Sequence, residues 1–289
     1  MYRKEREIEL REPVLVMGME GWIDAGFGGA NAMAAVRQSI ATEPVVTFDG
    51  DLLLDYRSRR PTLRIDNGVN TGMTWPTIEL LAGTDTGGRD VLLLVGPEPD
   101  QQWRAFTNAV CELAVSFGVT LAVGLGAFPA PVPHTRPVRL AATATNADLA
   151  SRVGFVPGVI EVPAGIHAAL ERGLDLAGIP AVGLWARVPM YVAASAFPPA
   201  SVALVETLER IAGVTADATD LRAAAEVSLR RIDELIAQSD EHREMVSGLE
   251  HQADEEQPVS TMNLENLPSG DEIAAELERF LRGEGGGPA

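Results

Sequence analysis

Four short apolar runs, each ending in or near a glycine or proline, recur between alanine-rich stretches of this 289-residue sequence. They are PVLVMGM at 13–19, RDVLLLVGP at 89–97, VTLAVGLGAF at 119–128 and PAVGLWARVP at 180–189. Polar residues do not alternate with the apolar ones, which is typical of parallel strands covered by helices on both faces. We therefore predict the α/β class, with a three-layer α/β/α fold and a mostly parallel sheet.

Helix-end signals mark the stretches between these runs. Asp24 and Asp100 are expected to cap helices over 25–39 and 101–117. A glycine is expected to end each of the helices predicted over 101–117, 164–177 and 200–212, at Gly118, Gly178 and Gly213. Further strands are predicted over 138–146 and 158–163, and a β-rich excursion at the sheet edge between the first two runs.

The last quarter of the chain has a different composition. Residues 217–289 carry 18 acidic and 6 basic residues, a net charge of −12 out of −18 for the whole sequence. We predict a core domain over 1–216 and, over 217–289, an acidic helical extension with a flexible C-terminus. Apolar residues near helical spacing predict one amphipathic helix over 218–251, packed either on its own core or on a neighbouring subunit. A short helix capped by Ser269 is predicted over 268–283.

The charged and reactive residues exclude several classes of function. A strongly acidic chain is poorly suited to nucleic acid or to an anionic membrane surface, because both need a basic footprint. The single lysine, Lys4, lies in the charged N-terminal segment, so a phosphate-binding lysine or a lysine Schiff base in the core is excluded. Cys111 is the only cysteine. With no signal-peptide or membrane-spanning pattern, this indicates a cytoplasmic protein.

The glycine-rich stretch GMEGWIDAGFGGANAM at 18–33 resembles a nucleotide loop but fails its requirements. Phe27 and Gly28 stand where a P-loop needs lysine and Ser/Thr, and Asn31 stands where a dinucleotide fingerprint needs its third glycine. Glu20 and Asp24 also bring negative charge to the place of a pyrophosphate. We interpret the glycines as allowing Trp22 and the following helix to pack closely on the sheet. No cofactor is predicted.

Polar residues after two of the strands form the remaining candidates. PVPHTRP at 131–137 places His134, Thr135 and Arg136 on one loop, where they either bind an anion or carboxylate or only cap a stiff surface loop. Glu98 follows another strand, so the two groups are candidates for one pocket at the strand ends. The histidines are scattered and no cysteine pair exists, so no metal site is predicted. No G-x-S-x-G nucleophile motif is present, although paired carboxylates are not excluded.

Four ordered motifs, GMEGWIDAGFGG, LLLVGPEPDQQW, VPHTRPV and VPMYVA, together resemble the bacterial, actinobacteria-like branch of the proteasome-assembly-chaperone family. The resemblance spans 13–213 and implies an α/β/α fold similar to the phosphorylase/hydrolase-like fold. It also implies a homotrimer, with proteasome subunits as possible partners. Two departures stand out: the chain ends GEGGGPA instead of the family's hydrophobic-Tyr-X tail, and Met190 replaces a histidine common before Tyr191.

Two functions follow as hypotheses. The first is a non-enzymatic, homo-oligomeric protein-interaction module of the proteasome-assembly type that presents its acidic extension to a partner. The second is an enzyme or sensor that binds a nucleoside or anion in a pocket at the C-terminal ends of the strands. The ligand-binding candidates are Asp24, Glu98, His134, Thr135, Arg136 and Tyr191.

Overall fold

The computed structural model describes residues 1–21 and 23–255. Trp22, the helix predicted over 268–283 and the GEGGGPA end lie outside this range. The ten described strands are β1 Tyr2–Lys4, β2 Val14–Glu20, β3 Thr42–Phe48, β4 Thr62–Asp66, β5 Val69–Thr74, β6 Glu79–Thr84, β7 Asp90–Pro97, β8 Leu121–Ala130, β9 Leu140–Ala144 and β10 Ala181–Pro189. The eight described helices are α1 Gly28–Ser39, α2 Gly50–Leu53, α3 Trp103–Ser116, α4 Ala147–Val153, α5 Ile166–Leu176, α6 Pro198–Ala212, α7 Thr219–Ile236 and α8 Asp240–Glu255.

Eight strands form one sheet in the order β1-β3-β6-β7-β2-β8-β10-β9, and β4 and β5 form a separate hairpin. The four apolar runs are the central strands β7, β2, β8 and β10, which are parallel to one another as predicted. The outer strands pair antiparallel, so the sheet is mixed towards both edges. The predicted β-rich excursion corresponds to β3, the β4–β5 hairpin and β6.

Helices cover both faces of the sheet and confirm the three-layer α/β/α fold. Helices α1, α6 and α7 pack on one face, and α3 and α5 pack on the other. Within β2, Val14 and Val16 enter the first core and Leu15 and Met17 the second. Each central strand is therefore buried on both sides, which explains the uninterrupted apolar runs.

The predicted helix ends were mostly confirmed. Gly118, Gly178 and Gly213 all have positive φ angles directly beyond their helices. Asp100 was wrongly expected to cap α3, which begins at Trp103 instead. Its carboxylate accepts a hydrogen bond from the Asp55 backbone N–H at 2.8 Å, and this contact holds it away from the helix start.

The strand predicted over 158–163 was wrong, because this segment is an irregular connection before α5. Its apolar side chains are exposed, Val159 to 98%. An apolar run shows only that a segment can be buried, and here no neighbouring strand offers it a partner. Strand β1, by contrast, was not predicted: it lies in the charged N-terminal segment and pairs with β3 at the sheet edge.

The single helix predicted over 218–251 was also wrong: α7 and α8 are separate helices that break between Ile236 and Asp240. Most of the nine residues between Ile236 and Val246 are polar, and the break falls among them. After the break both Ile232 and Val246 are buried. Ile232 belongs to the core under α1 and α6, so the described part of the extension, 217–255, folds back on its own chain.

Candidate functional site

A cavity opens where the central strands β2 and β8 separate. The two strands pair only from Val14 to Met17, opposite Leu121 to Gly124, and then diverge. Strand β7 pairs with one side of β2, and the next strand along the chain, β8, pairs with its other side. The gap between β2 and β8 is therefore the switch point at which open α/β sheets bind ligands. The cavity beyond it has a volume of about 520 Å³. It is bordered by the end of β2 and the residues that follow it, by Glu98 after β7, by residues within β8 and β10, and by the start of α5.

His167, in the first turn of α5, fills the gap between the diverging strands. Its Nε2 accepts a hydrogen bond from the Met19 backbone N–H at 3.2 Å, in place of a partner on β8. Burial lowers the pKa of His167 to about 4, because a charged imidazole would lose its hydration. The ring is therefore neutral near pH 7, with its proton on Nδ1.

Two carboxylates already occupy the helix N-termini at this cavity. Asp24 accepts from the backbone N–H groups of Gly29 at 2.8 Å and Ala30 at 2.9 Å. Glu98 accepts from the Ile166 N–H, at the start of α5, at 2.7 Å. Burial raises the pKa of Asp24, although these hydrogen bonds oppose the shift. The predicted cap at Asp24 is confirmed, but a 3₁₀ turn over Ala25–Phe27 precedes the helix, which starts at Gly28.

The glycines of this loop serve close packing, as predicted. A Cβ at Gly28 would lie 2.8 Å from the Cβ of Ala127, and a Cβ at Gly29 would lie 2.7 Å from the carbonyl oxygen of Leu125. Helix α1 thus starts in direct contact with β8. The N–H groups of Gly29 and Ala30, which a phosphate would need, are already bound by Asp24.

Trp185 of β10 forms another wall of the cavity. Its six-membered ring lies against Gly126, where a Cβ would come within 2.5 Å of it. The indole Nε1–H donates to Thr143 Oγ1 at 3.1 Å, and this hydroxyl donates to Glu171 Oε2 at 2.7 Å. Burial raises the pKa of Glu171. The indole is therefore held by its polar edge, with its hydrocarbon part at the cavity.

His134 lies on the loop after β8 and belongs to a different site. It is buried, and its backbone N–H donates to the hydroxyl of Tyr191 at 2.8 Å. Its ring Nδ1 lies 2.7 Å from the same hydroxyl, and Nε2 lies 3.0 Å from Asp233 Oδ1 on α7. One arrangement satisfies all three contacts: Tyr191 donates to Nδ1, and Nε2–H donates to Asp233. Burial raises the pKa of Tyr191, so the hydroxyl keeps its proton.

Thr135 and Arg136, next on this loop, bind α8. The Thr135 hydroxyl donates to Glu250 at 2.5 Å. Arg136 donates to both carboxylate oxygens of Asp254 at 2.8 Å and to Glu250 at 3.2 Å. The bond with Asp254 raises the pKa of Arg136 and lowers the pKa of Asp254. The carboxylates that this loop binds are those of the chain's own C-terminal extension.

The six candidate residues thus fall into two groups. Asp24 and Glu98 border the cavity at the strand ends. His134, Thr135, Arg136 and Tyr191 are together on the surface that receives α7 and α8, and none of them lines that cavity. His167 and Trp185, which do line it, were missed by the sequence reasoning. The only sequence signals were a histidine at a helix start and a tryptophan inside an apolar strand.

The predictions about metal sites and membrane-spanning segments can be compared with the described residues only. Within residues 1–21 and 23–255, no group of three or more His, Cys, Asp or Glu side chains has a geometry that could hold a metal ion. In the same part of the chain, no helix combines the length and apolar character needed to cross a bilayer.

Parallel central strands in the order β7-β2-β8-β10, with helices on both faces and a cavity at the switch point, define a doubly wound α/β protein. The model of the PAC2 family matches residues 18–236, more than half of the chain. The chain belongs to the PAC2 family, which confirms the resemblance carried by the four motifs.

Solved structures of actinobacterial proteins are similar over most of the chain. A protein of unknown function from Corynebacterium glutamicum is 31% identical, with a TM-score of 0.82 over 88% of this chain and 97% of its own. A protein of unknown function from Mycobacterium tuberculosis is 37% identical, with a TM-score of 0.80 over 88% and 91%. A proteasome-assembly chaperone homologue from the same organism is 36% identical, with a TM-score of 0.75 over 81% and 99%. No curated protein matches the sequence.

Proposed function

We propose that this protein is a non-enzymatic, homo-oligomeric interaction module that assists proteasome assembly in the cytoplasm. The observation that carries the proposal is membership of the PAC2 family, together with 36% identity to the proteasome-assembly chaperone homologue. The engagement of His134, Thr135, Arg136 and Tyr191 in structural bonds supports it, because these side chains are already committed to holding α7 and α8.

The exposed apolar side chains of the β4–β5 hairpin support self-association. Every residue of both strands is exposed, including Leu63, Ile65, Val69 and Met73. Leu63 pairs with Met73 and lies two positions before Ile65, so these three side chains share one face of the hairpin. A two-stranded hairpin is at best marginally stable alone in water, and an exposed apolar face of this kind marks a protein contact. We assign this surface to a second copy of the chain, in a homotrimer.

The acidic extension over 217–289 supplies the surface for the proteasome partner. The described part of it binds the core along one side, through Ile232 and through the bonds of Glu250 and Asp254 to Thr135 and Arg136. Carboxylates such as Glu226, Glu234 and Glu241 face solvent. A partner with a basic surface would complement them.

The test is co-elution of the full chain with purified actinobacterial proteasome α-subunits in size-exclusion chromatography. Removing 217–289 would uncover the apolar face under α7, so the informative truncation removes only 240–289 and keeps Ile232 in place. We expect the full chain to co-elute with α-subunits and the truncated chain to co-elute less. If the full chain retains no α-subunit, the assembly role is refuted. Equal retention by both chains would refute a role of residues 240–289 in binding the partner.

The cavity at the strand ends supports a second candidate function, the binding of a small molecule as a sensor or enzyme. Its position at the switch point and its volume of about 520 Å³ are typical of ligand pockets. A relationship to the phosphorylase/hydrolase-like fold would place a ligand at the same end of the sheet. Thermal-shift screening of the full chain against small molecules tests this function, since a ligand that binds only the folded state raises its melting temperature.

A further inference from the structure

The charge of the cavity opposes the anion expected from the sequence. Three carboxylates line it, those of Glu20, Asp24 and Glu98, and no arginine or lysine lies among its described lining residues. His167 also contributes no positive charge, because burial keeps its pKa near 4. An anionic ligand would lose its hydration here without meeting a cation in the described wall.

The helix N-termini, which often bind anions, are not available at this site. Asp24 occupies the N–H groups at the start of α1, and Glu98 occupies the N–H of Ile166 at the start of α5. Each carboxylate retains lone pairs beyond those used by the helix, since a carboxylate accepts about four hydrogen bonds. The cavity therefore offers hydrogen-bond acceptors and negative charge to a ligand.

The apolar wall adds a second requirement for the ligand. The Trp185 ring is fixed by the bond from Nε1 to Thr143 and lies against Gly126. Leu125 and Ile166 border the same space. An anchored indole suits a flat or aliphatic body, and its ring also attracts a cation. A water occupies about 30 Å³ of liquid, so the cavity has room for on the order of fifteen non-hydrogen atoms.

We propose that this cavity binds a small organic cation of the amine, amidine or guanidine class, whose charged end meets Glu20 and Glu98 and whose body packs on Trp185. The inference rests on the second proposed function, ligand binding at the strand ends, and specifies the class of ligand. Its charge differs from that of the nucleoside or anion that the sequence suggested.

The test compares three probes of nearly the same shape and different charge: benzamidine, benzamide and benzoate. Binding to the full chain is measured by titration calorimetry at pH 7.5. We expect benzamidine to bind more tightly than benzamide, and benzoate to bind least. Glu98→Gln keeps an oxygen that can accept from Ile166 N–H, and Glu20→Gln changes an exposed side chain, so both variants are expected to fold. Each should weaken benzamidine binding about tenfold, which is the lower end of the value of a charge-assisted hydrogen bond, and leave benzamide unchanged.

Glu226→Gln is the control, because Glu226 is an exposed carboxylate on α7, outside the cavity lining. It should leave benzamidine binding unchanged, whereas an equal loss in all three variants would show unspecific attraction to an acidic surface and overturn the inference. Benzoate binding more tightly than benzamidine would overturn the cation and leave ligand binding intact. If none of the three probes binds the full chain, the ligand-binding function fails with it.

Location is tested by the indole N–H resonance of Trp185, identified by its loss in Trp185→Phe. Benzamidine should shift this resonance in the unmodified chain. An unshifted resonance under saturating benzamidine would place the bound probe elsewhere and overturn the assignment to this cavity.

Discussion

Removing the hydroxyl of Tyr191 tests whether the His134 loop is structural. Tyr191→Phe keeps the ring and deletes one oxygen, which now accepts from the His134 backbone N–H at 2.8 Å and contacts Nδ1 at 2.7 Å. His134 is buried, so both of its polar groups would lose their partner away from water. A buried donor or acceptor left unsatisfied costs about 1–3 kcal/mol, so we expect the free energy of unfolding to fall by about 2–4 kcal/mol.

The assay is urea unfolding followed by circular dichroism, at one protein concentration because self-association shifts the midpoint. Tyr2→Phe is the matched control, since the Tyr2 hydroxyl has no hydrogen-bond partner among the described residues. The control should change stability by less than about 0.5 kcal/mol, as is usual away from buried polar groups. If Tyr191→Phe is no more destabilising than Tyr2→Phe, the structural role of this loop is refuted.

Three further predictions concern the other parts of the site. His167→Gln should make folding less sensitive to acid. The pKa of His167 is about 4 in the folded chain and 6.5 in the unfolded chain, so the unfolded chain takes up a proton first as the pH falls. Between pH 7.5 and pH 4 the free energy of unfolding of the unmodified chain should therefore fall by up to about 3 kcal/mol more than that of the variant. If urea unfolding shows that the unmodified chain and the variant lose the same stability over this pH range, the buried neutral ring is contradicted. Gly29→Ala should cost about 2 kcal/mol, because its Cβ would meet a β8 carbonyl at 2.7 Å. At Gly248 on α8 a Cβ would meet open space, so Gly248→Ala should raise the free energy of unfolding by about 0.5–1 kcal/mol. If thermal melts show that Gly29→Ala and Gly248→Ala change stability in the same direction, the packing argument is refuted. Arg136→Met should speed hydrogen exchange in 246–255, because it removes the bidentate bond to Asp254. Unchanged exchange would show that Asp254 does not hold α8.

The central strands were predictable because burial on both faces leaves a direct mark on the sequence. The stretch 91–97, VLLLVGP, contains no polar position that could face solvent. The edge strands leave a weaker mark: β1 is short and charged, and only its pairing with β3 makes it a strand. Segment 158–163 shows the opposite error, since apolar residues without a neighbouring strand remain a loop.

The site could be predicted only where the chemistry is local. Asp24 lies five residues before Gly29, so its role as a cap follows from the sequence. The carboxylate partner of Arg136 is 118 residues away on α8, and no local pattern identifies it. The sequence left open whether the 131–137 loop binds an anion or carboxylate or only caps a surface loop. It gave no sign that the carboxylates bound here belong to the same chain. His167 acquires its role only because β2 and β8 diverge, which is a tertiary feature.

Sedimentation equilibrium of the full chain tests most directly the claim that this protein works through its surfaces. We predict a mass three times that of one chain, and a shift to single chains when Leu63 and Ile65, both exposed on one face of the hairpin, are changed to aspartate. Thr62→Asp adds a charge at a polar position of the same hairpin and should leave the trimer intact. A single-chain mass for the unmodified protein at all concentrations, or a trimer that survives Leu63→Asp with Ile65→Asp, would contradict the account.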